Sequence, residues 1–212
     1  MIDPLAANPR RGRPRSESRK QAILEAAYEL LCHHGLAGTS MDAVAERAGV
    51  SKATIYRWWS SKELLALETL YESWDAERDA ASATGETTLE DELLALVLPW
   101  VRMVADSAST RILLGILTKA KDDPGFADAY RERFINPRRE RSREVLRRAI
   151  ERGDVAAGVD VEVATDLLWG PLYHRLLHGH ARCDEQFARR SVALAITGIR
   201  VRAPGAPRRD GR

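Results

Sequence analysis

Residues 39–62 read TSMDAVAERAGVSKATIYRWWSSK, and this stretch decides the fold. Thr39-Ser40 precedes a short apolar-periodic run, Met41–Ala48, and Thr39 with Asp42 has the spacing of a capping box. Gly49-Val50-Ser51 breaks the run, and Gly49 permits the backbone geometry of a tight turn. Ser51 is placed to cap a second short helix, from Lys52 to about Trp59. Two short helices joined by a Gly-containing turn make a helix-turn-helix. Ala45, Ala48, Val50 and Ile55 are small or branched apolar residues spaced to pack the two together, which leaves Lys52, Ala53, Thr54, Tyr56 and Arg57 facing outward. The second helix of such a pair fits the major groove of B-DNA with its N-terminal residues at base edges. The first crosses the backbone, where a capping hydroxyl and free helix N–H groups suit a phosphate.

Working outward, the flanking sequence is helical as well. Ile23, Ala27, Leu30 and Leu31 recur at three and four residues and predict a helix from about Glu17 to His34, closed by Gly35 in a left-handed C-cap. Ser60-Ser61 opens a longer helix whose Leu64, Leu67, Thr69, Leu70 and Trp74 form one stripe. Breaks at Thr84-Gly85, Asp122 to Gly125, Gly153 to Gly158 and Ala181 to Asp184 divide the remainder into five helices, about 87–106, 109–121, 126–152, 161–180 and 184–202. No period-two segment is sustained and no repeat of 20–50 residues shows, so the expectation is an all-α chain of about nine helices. Its expected organisation is a basic flexible arm over 1–16, a helix-turn-helix domain over 17–62, a larger helical domain over 63–202 and a disordered tail over 203–212.

Composition narrows the class. Of 212 residues 44% are hydrophobic, enough to bury a core, and 30% are charged. No apolar run approaches the ~18 residues that cross a bilayer. Met1 to Lys20 has no apolar segment of the secretory kind, so no export signal is expected. Two distant cysteines, Cys32 and Cys183, make neither a metal cluster nor a disulfide scaffold and favour a reducing cytoplasm. The net charge of +2 hides its layout. Residues 1–62 carry ten Lys and Arg against six Asp and Glu, 63–137 carry seven against fifteen, and 138–212 carry sixteen against ten. A basic end joined to an acidic middle points to one part that meets a polyanion. Catalytic signatures are missing: there is no Gly-rich phosphate loop, nucleophile elbow or H-E-x-x-H, so neither an enzyme nor a cofactor is expected. His174 and His178 stand one turn apart, with His180 nearby, but no carboxylate completes a ligand set, so no metal is expected. The run Arg138-Arg139-Glu140-Arg141-Ser142-Arg143 reads as the solvated face of a long helix, with Glu140 and Glu144 pairing to neighbouring arginines.

The stretch GRPRSESRKQAILEAAYELLCHHGLAGTSMDAVAERAGVSKATIYRWWSSKELLALE, Gly12 to Glu68, resembles the N-terminal domain of TetR/AcrR-family transcriptional repressors. The resemblance implies a three-helix DNA-binding domain followed by a larger helical domain for ligand binding and dimerisation. The later DLLWGPLYHRLL, Asp166 to Leu177, looks like the dimerisation helix of one subgroup. Carried over, the resemblance puts Ser40 where the family caps its second helix on a phosphate, and Lys52, Ala53 and Thr54 where it approaches bases and nearby backbone. Tyr56 matches a phosphate-binding tyrosine, and Lys62 a phosphate-binding lysine opening the fourth helix. Trp58 departs from the histidine common there. Met41 stands where some members read a base with a polar side chain and offers only apolar contact, for instance to a thymine methyl. Arg57 reads equally as a contact or as a solvated charge, and Trp59 as core. In the arm, Arg11 and Arg13 belong to a basic block that can reach an adjacent minor groove.

A regulator of this kind binds as a homodimer. Leu167, Leu168, Pro171, Leu172, Leu176, Val192, Leu194, Ala195 and Ile199 form the expected apolar interface; the alternative is that they bury against their own chain. For a small-molecule effector the expected lining is Trp74, Trp100, Met103, Leu113, Leu117, Trp169, Tyr173 and His174, although a Trp and Met stripe at helical spacing suits plain core as well. The function expected is that of a cytoplasmic homodimeric repressor, released from a palindromic double-stranded operator by its effector. An activator of the same fold, and a helical interaction protein that has lost DNA binding, are the alternatives.

Overall fold

The structure, a computed structural model, describes residues 13–81 and 87–200, with side chains over 17–72 and 87–200. The helices are α1 (Arg13–Gly38), α2 (Met41–Arg47), α3 (Lys52–Tyr56), α4 (Lys62–Ala81), α5 (Leu89–Ala105), α6 (Ser107–Asp122), α7 (Pro124–Tyr130), α8 (Asn136–Arg152), α9 (Val161–His178) and α10 (Glu185–Ile199). A π-helical turn, Arg131–Ile135, joins α7 to α8 without a break, so these two are one rod and the described residues hold nine. Among them there is no strand, only an isolated bridge between Val155 and Arg200. The all-α architecture expected from the sequence is the one observed. The expected arm and tail lie almost wholly outside the described residues, as does the expected break at Thr84-Gly85.

Local chemistry explains the boundaries, and several differ from the sequence reading. α1 starts at Arg13, not Glu17, because the fixed φ of Pro14 suits a first helical turn. It is interrupted at Gly35, whose φ of 66° comes with a ψ of 180°; that is extended backbone of the mirror hand, open to glycine, and not the left-handed cap expected. The Thr39 hydroxyl donates to the Gly35 carbonyl at 2.8 Å, so Thr39 closes α1 and does not open α2. The cap of α2 is Ser40, whose Oγ accepts from the Ala43 N–H at 3.1 Å. Gly49, with φ 64°, turns the chain into α3, which Ser51 caps by accepting from the Thr54 N–H at 3.2 Å. α3 stops at Tyr56, short of Trp59. The Ile55 carbonyl is shared by the N–H groups of Trp58 and Trp59, at 2.9 and 3.0 Å, which tightens the last turn.

Two compact units divide between Leu70 and Tyr71, within α4 and beyond the boundary expected at residue 62. In the first unit α1 packs on α2 and α2 on α3 over a core that includes Ile23, Ala27, Leu31, Val44 and Ile55. In the second, α5 is central, packed by α6, α8, α9 and α10, and its Leu93, Val97, Trp100 and Val101 are fully buried. α5 and α6 meet at 102°. No single helix among the described residues is long and apolar enough to cross a membrane. Among the described residues neither Cys32 nor Cys183 is in a disulfide, and burial pushes the Cys183 thiol up to about 11.

The charged run opening α8 is not a uniformly solvated face. Arg138 is buried, and the next arginines clamp α9: Arg139 Nη2 and Arg143 Nη2 donate to Glu162 Oε2 at 2.8 and 3.0 Å. Glu140 accepts from Arg143 and Arg147 at 2.8 and 2.7 Å, the pairing expected for it. The Arg143 and Arg139 guanidiniums hold the Glu162 carboxyl down to about 2, against an ordinary 4.5. A carboxyl depressed by folding stabilises the fold above its unfolded value and loses that contribution as pH falls through the folded one. Thermal melts of the wild type should therefore drop between pH 4.5 and about 2 more steeply than melts of Glu162→Gln. The variant should melt lower at pH 7, with the gap closing at about pH 2. Parallel melting curves at all pH values would show that the clamp adds nothing.

Candidate nucleic-acid interface and buried cation site

The five residues of α3 cannot hold themselves in one orientation; the chain from Ile55 to Glu68 holds them. Ile55 and Trp59 are fully buried, and the Trp59 Nε1–H donates to Glu68 Oε2 at 2.8 Å. The other oxygen of Glu68 pairs with Lys20 of α1 at 2.6 Å, and Trp58 packs edge-on against Trp59 with ring centroids 5.4 Å apart. With these side chains turned in, Lys52, Ala53, Tyr56 and Arg57 are exposed together, as expected, while Thr54 is half-buried with its hydroxyl 2.8 Å from Ser51 Oγ. Lys52 Nζ pairs with Asp42 at 2.8 Å and lies 6.0 Å from the Tyr56 ring centre. The hydrogen bond and charge of Asp42 hold its ammonium above the usual lysine range.

One expected contact needs correction, and a second side chain is already partly engaged. Met41 is 6% exposed, because the first residue of α2 turns into the core, so it offers no methyl-reading surface in this state. Lys62 is half-buried, and its Nζ donates to the carbonyls of Ala37 and Thr39 at 3.3 and 3.1 Å, tying the start of α4 to the end of α1. One of its three N–H groups is left for another acceptor. Ser40 is exposed at the start of α2. Arg11 lies outside the described residues, and Arg13 is described only in its helical backbone.

In the second unit the structure brings part of the expected pocket together around a residue the sequence reading put elsewhere. Arg138 is 5% exposed. Its Nη1 donates to the Tyr173 hydroxyl at 2.8 Å, and its guanidinium carbon sits 4.2 Å from the Trp169 ring centre and 5.2 Å from that of Tyr173. Trp100 packs edge-on to Trp169 at 6.1 Å and against Tyr173 at 4.9 Å. The Trp169 Nε1–H donates to Ser142 Oγ at 3.1 Å. Phe134 of the π turn lies against Tyr130 and Tyr71, at 6.5 and 4.4 Å between ring centres. Arg138 Nε, Trp100 Nε1 and the Tyr130 hydroxyl have no hydrogen-bond partner among the described residues. Burial pushes the Tyr130 phenol far up, so it stays a neutral donor.

A π turn inserts one residue into the α register. Tyr130 and Arg138, eight apart, therefore share a face as residues seven apart do in a plain helix. Of the other expected pocket residues, Leu113 is fully buried on α6, and Met103 and Leu117 are half-buried. The Trp74 side chain lies outside the described residues. His174 does not join the cluster: it is exposed, in a surface cleft with Gly170, Pro171, Arg175, His180 and Phe187. His174, His178 and His180 stack loosely, with centroids of 4.6 and 5.0 Å from His174, and no metal-holding group of three appears among the described residues.

The expected dimer surface is corrected too. Leu168, Leu172, Leu176 and Val192 are 3, 1, 9 and 1% exposed, so they build the core of their own chain; Pro171, Ala195 and Ile199 are half-buried. Leu167 on α9 and Leu194 on α10, also in the expected set, are left in water together with Val163 and Leu177 on α9, all more than half exposed.

Comparison with known proteins agrees with this geometry. A family model described as "Bacterial regulatory proteins, tetR family" matches residues 23–69, and one described as "Tetracyclin repressor-like, C-terminal domain" matches 83–195. The HTH-type transcriptional regulator YdeS of Bacillus subtilis is 33% identical over 192 residues, 91% of this chain and 95% of its own length. The DNA-binding transcriptional repressor TetR of Mycobacteroides abscessus is 31% identical over 84% of this chain and 92% of its own. Among solved structures, the TetR family transcription regulator SCO0332 superposes with a TM-score of 0.68 at 33% identity, covering 86% of this chain and 98% of that one.

The anchor of the reading face is open to a direct test. Trp59→Phe removes a buried N–H donor and part of a packed ring, and should lower unfolding free energy by about 1–3 kcal/mol in a urea melt. Glu68→Gln, which keeps an acceptor for the indole but loses the charge facing Lys20, should cost less. A Trp59→Phe variant as stable as wild type would show that the indole does not anchor α3.

Proposed function

Because the chain belongs to the tetR family of bacterial regulatory proteins, we propose that it is a homodimeric repressor that grips a palindromic operator through α3 and releases it when a small molecule enters the second unit. The observation that carries the reading is the outward set on α3: a lysine, a small residue, a tyrosine and an arginine exposed side by side on a capped, anchored helix. Lys52, Ala53 and Thr54 sit at the end of that helix that meets base edges, and Tyr56 and Arg57 follow at the height of the phosphates. Ser40 and the remaining N–H of Lys62 supply further phosphate donors. In the free protein Lys52 is held by Asp42, so DNA binding exchanges a surface carboxylate for a phosphate. Acting on chromosomal DNA, the protein works in the cytoplasm.

Two reading heads must be joined to read two half-sites. The stripe of Val163, Leu167 and Leu177 with Leu194 is the surface that a second copy would cover, since exposed apolar residues at helical spacing mark an interaction face. The boundary between the units falls inside α4, which makes this helix the covalent route from effector to reading head. A coupling of about 1–3 kcal/mol between effector and DNA changes affinity by about 5- to 150-fold.

Fluorescence anisotropy with the DNA flanking the gene, against scrambled DNA of equal length at two salt concentrations, tests the core of this reading. Specific binding with a salt slope is expected; equal binding to both would reduce it to phosphate contact, and none would sink it. Tyr56→Phe should weaken binding to both DNAs by a similar factor, about fivefold if one hydrogen bond of about 1 kcal/mol is lost, whereas Thr54→Ala should change the preference between sequences. Leu167→Asp combined with Leu194→Asp should sediment as a monomer and lose tight operator binding while keeping its helical content. A double variant that remains dimeric would move the interface elsewhere.

A further inference from the structure

Arg138 is a permanent cation held out of water with no anion beside it among the described residues. It is 5% exposed, and among the described residues no carboxylate pairs with it. An arginine cannot shed its proton to escape burial, and a buried charge is strongly disfavoured unless it is paired. Its present contacts, the Tyr173 hydroxyl and the faces of Trp169 and Tyr173, stabilise the charge without neutralising it. Among the described residues Arg138 Nε–H, Trp100 Nε1–H and the Tyr130 hydroxyl, all in the same cluster, meet no partner at hydrogen-bond geometry. The π turn sets Tyr130 on the face of Arg138, and such turns recur at functional sites.

The deficit specifies what would fill it. Two unpartnered N–H donors, a phenol hydroxyl that can turn to donate, and one positive charge call for a group that accepts and carries one negative charge. A carboxylate has two oxygens, about four lone-pair sites and no donor. A dianionic phosphate would replace an excess positive charge by an excess negative one. An amide would bring donors to a place that needs none. The surroundings are the rings of Trp100, Trp169, Tyr173 and Phe134, which suit an apolar or aromatic body.

We propose that the effector of this regulator is a small monocarboxylic acid on an apolar or aromatic body, with Arg138 anchoring the carboxylate and Trp100 and Tyr130 donating to its oxygens. The assignment rests on the reading that the second unit takes a small-molecule effector. Arg138 sets specificity by charge, since a neutral isostere leaves its cation unpaired.

The test uses the full chain and four acids, benzoate, phenylacetate, hexanoate and octanoate, each beside its primary amide, by titration calorimetry and by the fluorescence of the tryptophans. At least one acid should bind about tenfold or more tighter than its amide. Arg138→Gln should erase that preference, leaving acid and amide within about twofold, with helical content unchanged by circular dichroism. If Arg138→Gln does not fold, Trp100→Phe and Tyr130→Phe each remove one donor and keep a ring, and each should weaken the acid by a few-fold and leave the amide unchanged. Acids that bind no better than their amides, acids that do not bind at all, or an Arg138→Gln chain that keeps the preference would each overturn the assignment. A parallel screen of neutral and cationic compounds for release of bound DNA separates the two levels. Release by such a compound, with no acid preference, leaves the effector reading standing and removes this one; release by nothing removes the effector reading itself.

Discussion

The carboxylate of Glu68 is where the first unit is held together. One oxygen accepts from the buried indole of Trp59 and the other faces Lys20, so the chain after α3, the start of α4 and the flank of α1 are tied at one residue. This matters because α3 is one and a half turns long and has no orientation of its own. Once Ile55 and Trp59 point inward, the 100° step of a helix leaves Lys52, Ala53, Tyr56 and Arg57 no choice but the outside. The reading face is thus a by-product of burial one turn further on. Ser51 and Gly49 set where α3 begins, and the indole sets which way it faces.

The second unit uses register for the same purpose. α8 buries Arg138, Ser142, Val145, Leu146 and Ala149, which recur at three and four residues along one stripe, and interleaves Arg139, Arg143 and Arg147 on the flank that clamps Glu162 or Glu140. A single inserted residue in the π turn rotates the preceding helix so that Tyr130 meets that stripe. Without the insertion the two positions would lie about 80° apart around the helix, against about 20° with it.

The sequence told most about features set by nearest neighbours. Helix limits fall within a few residues of expectation, and Gly49 and Ser51 act as read, because turn and cap chemistry is local. What escaped is which side of a helix meets the core. Leu168, Leu172 and Leu176 look like interface residues in the sequence, yet they form the stripe one step round α9 from Leu167 and Leu177, and only packing tells the two apart. The burial of Met41 is hidden for the same reason, and the tie made by Lys62 because its carbonyl partners are 25 and 23 residues away. Arg138 could have been found, since it continues the period of Ser142, Val145 and Ala149; five charged neighbours hid a residue that belongs to the apolar stripe. The π turn carries no signature in its sequence.

Lys52 and Arg138 show why the two ends of such a regulator answer to different chemistry. Lys52 is exposed and already paired, and a solvent-exposed ion pair contributes little because water and salt screen it. Its exchange of Asp42 for a phosphate is therefore nearly neutral, and affinity must come from counterion release summed over many such contacts, which makes it salt-dependent and poorly selective one contact at a time. Arg138 is buried with no carboxylate beside it among the described residues, where screening is weak and the penalty for a mismatched partner is large. One side chain there suffices to discriminate. If the proposed release by a small molecule holds, this division suits it, because one interior charge can outweigh several surface ones.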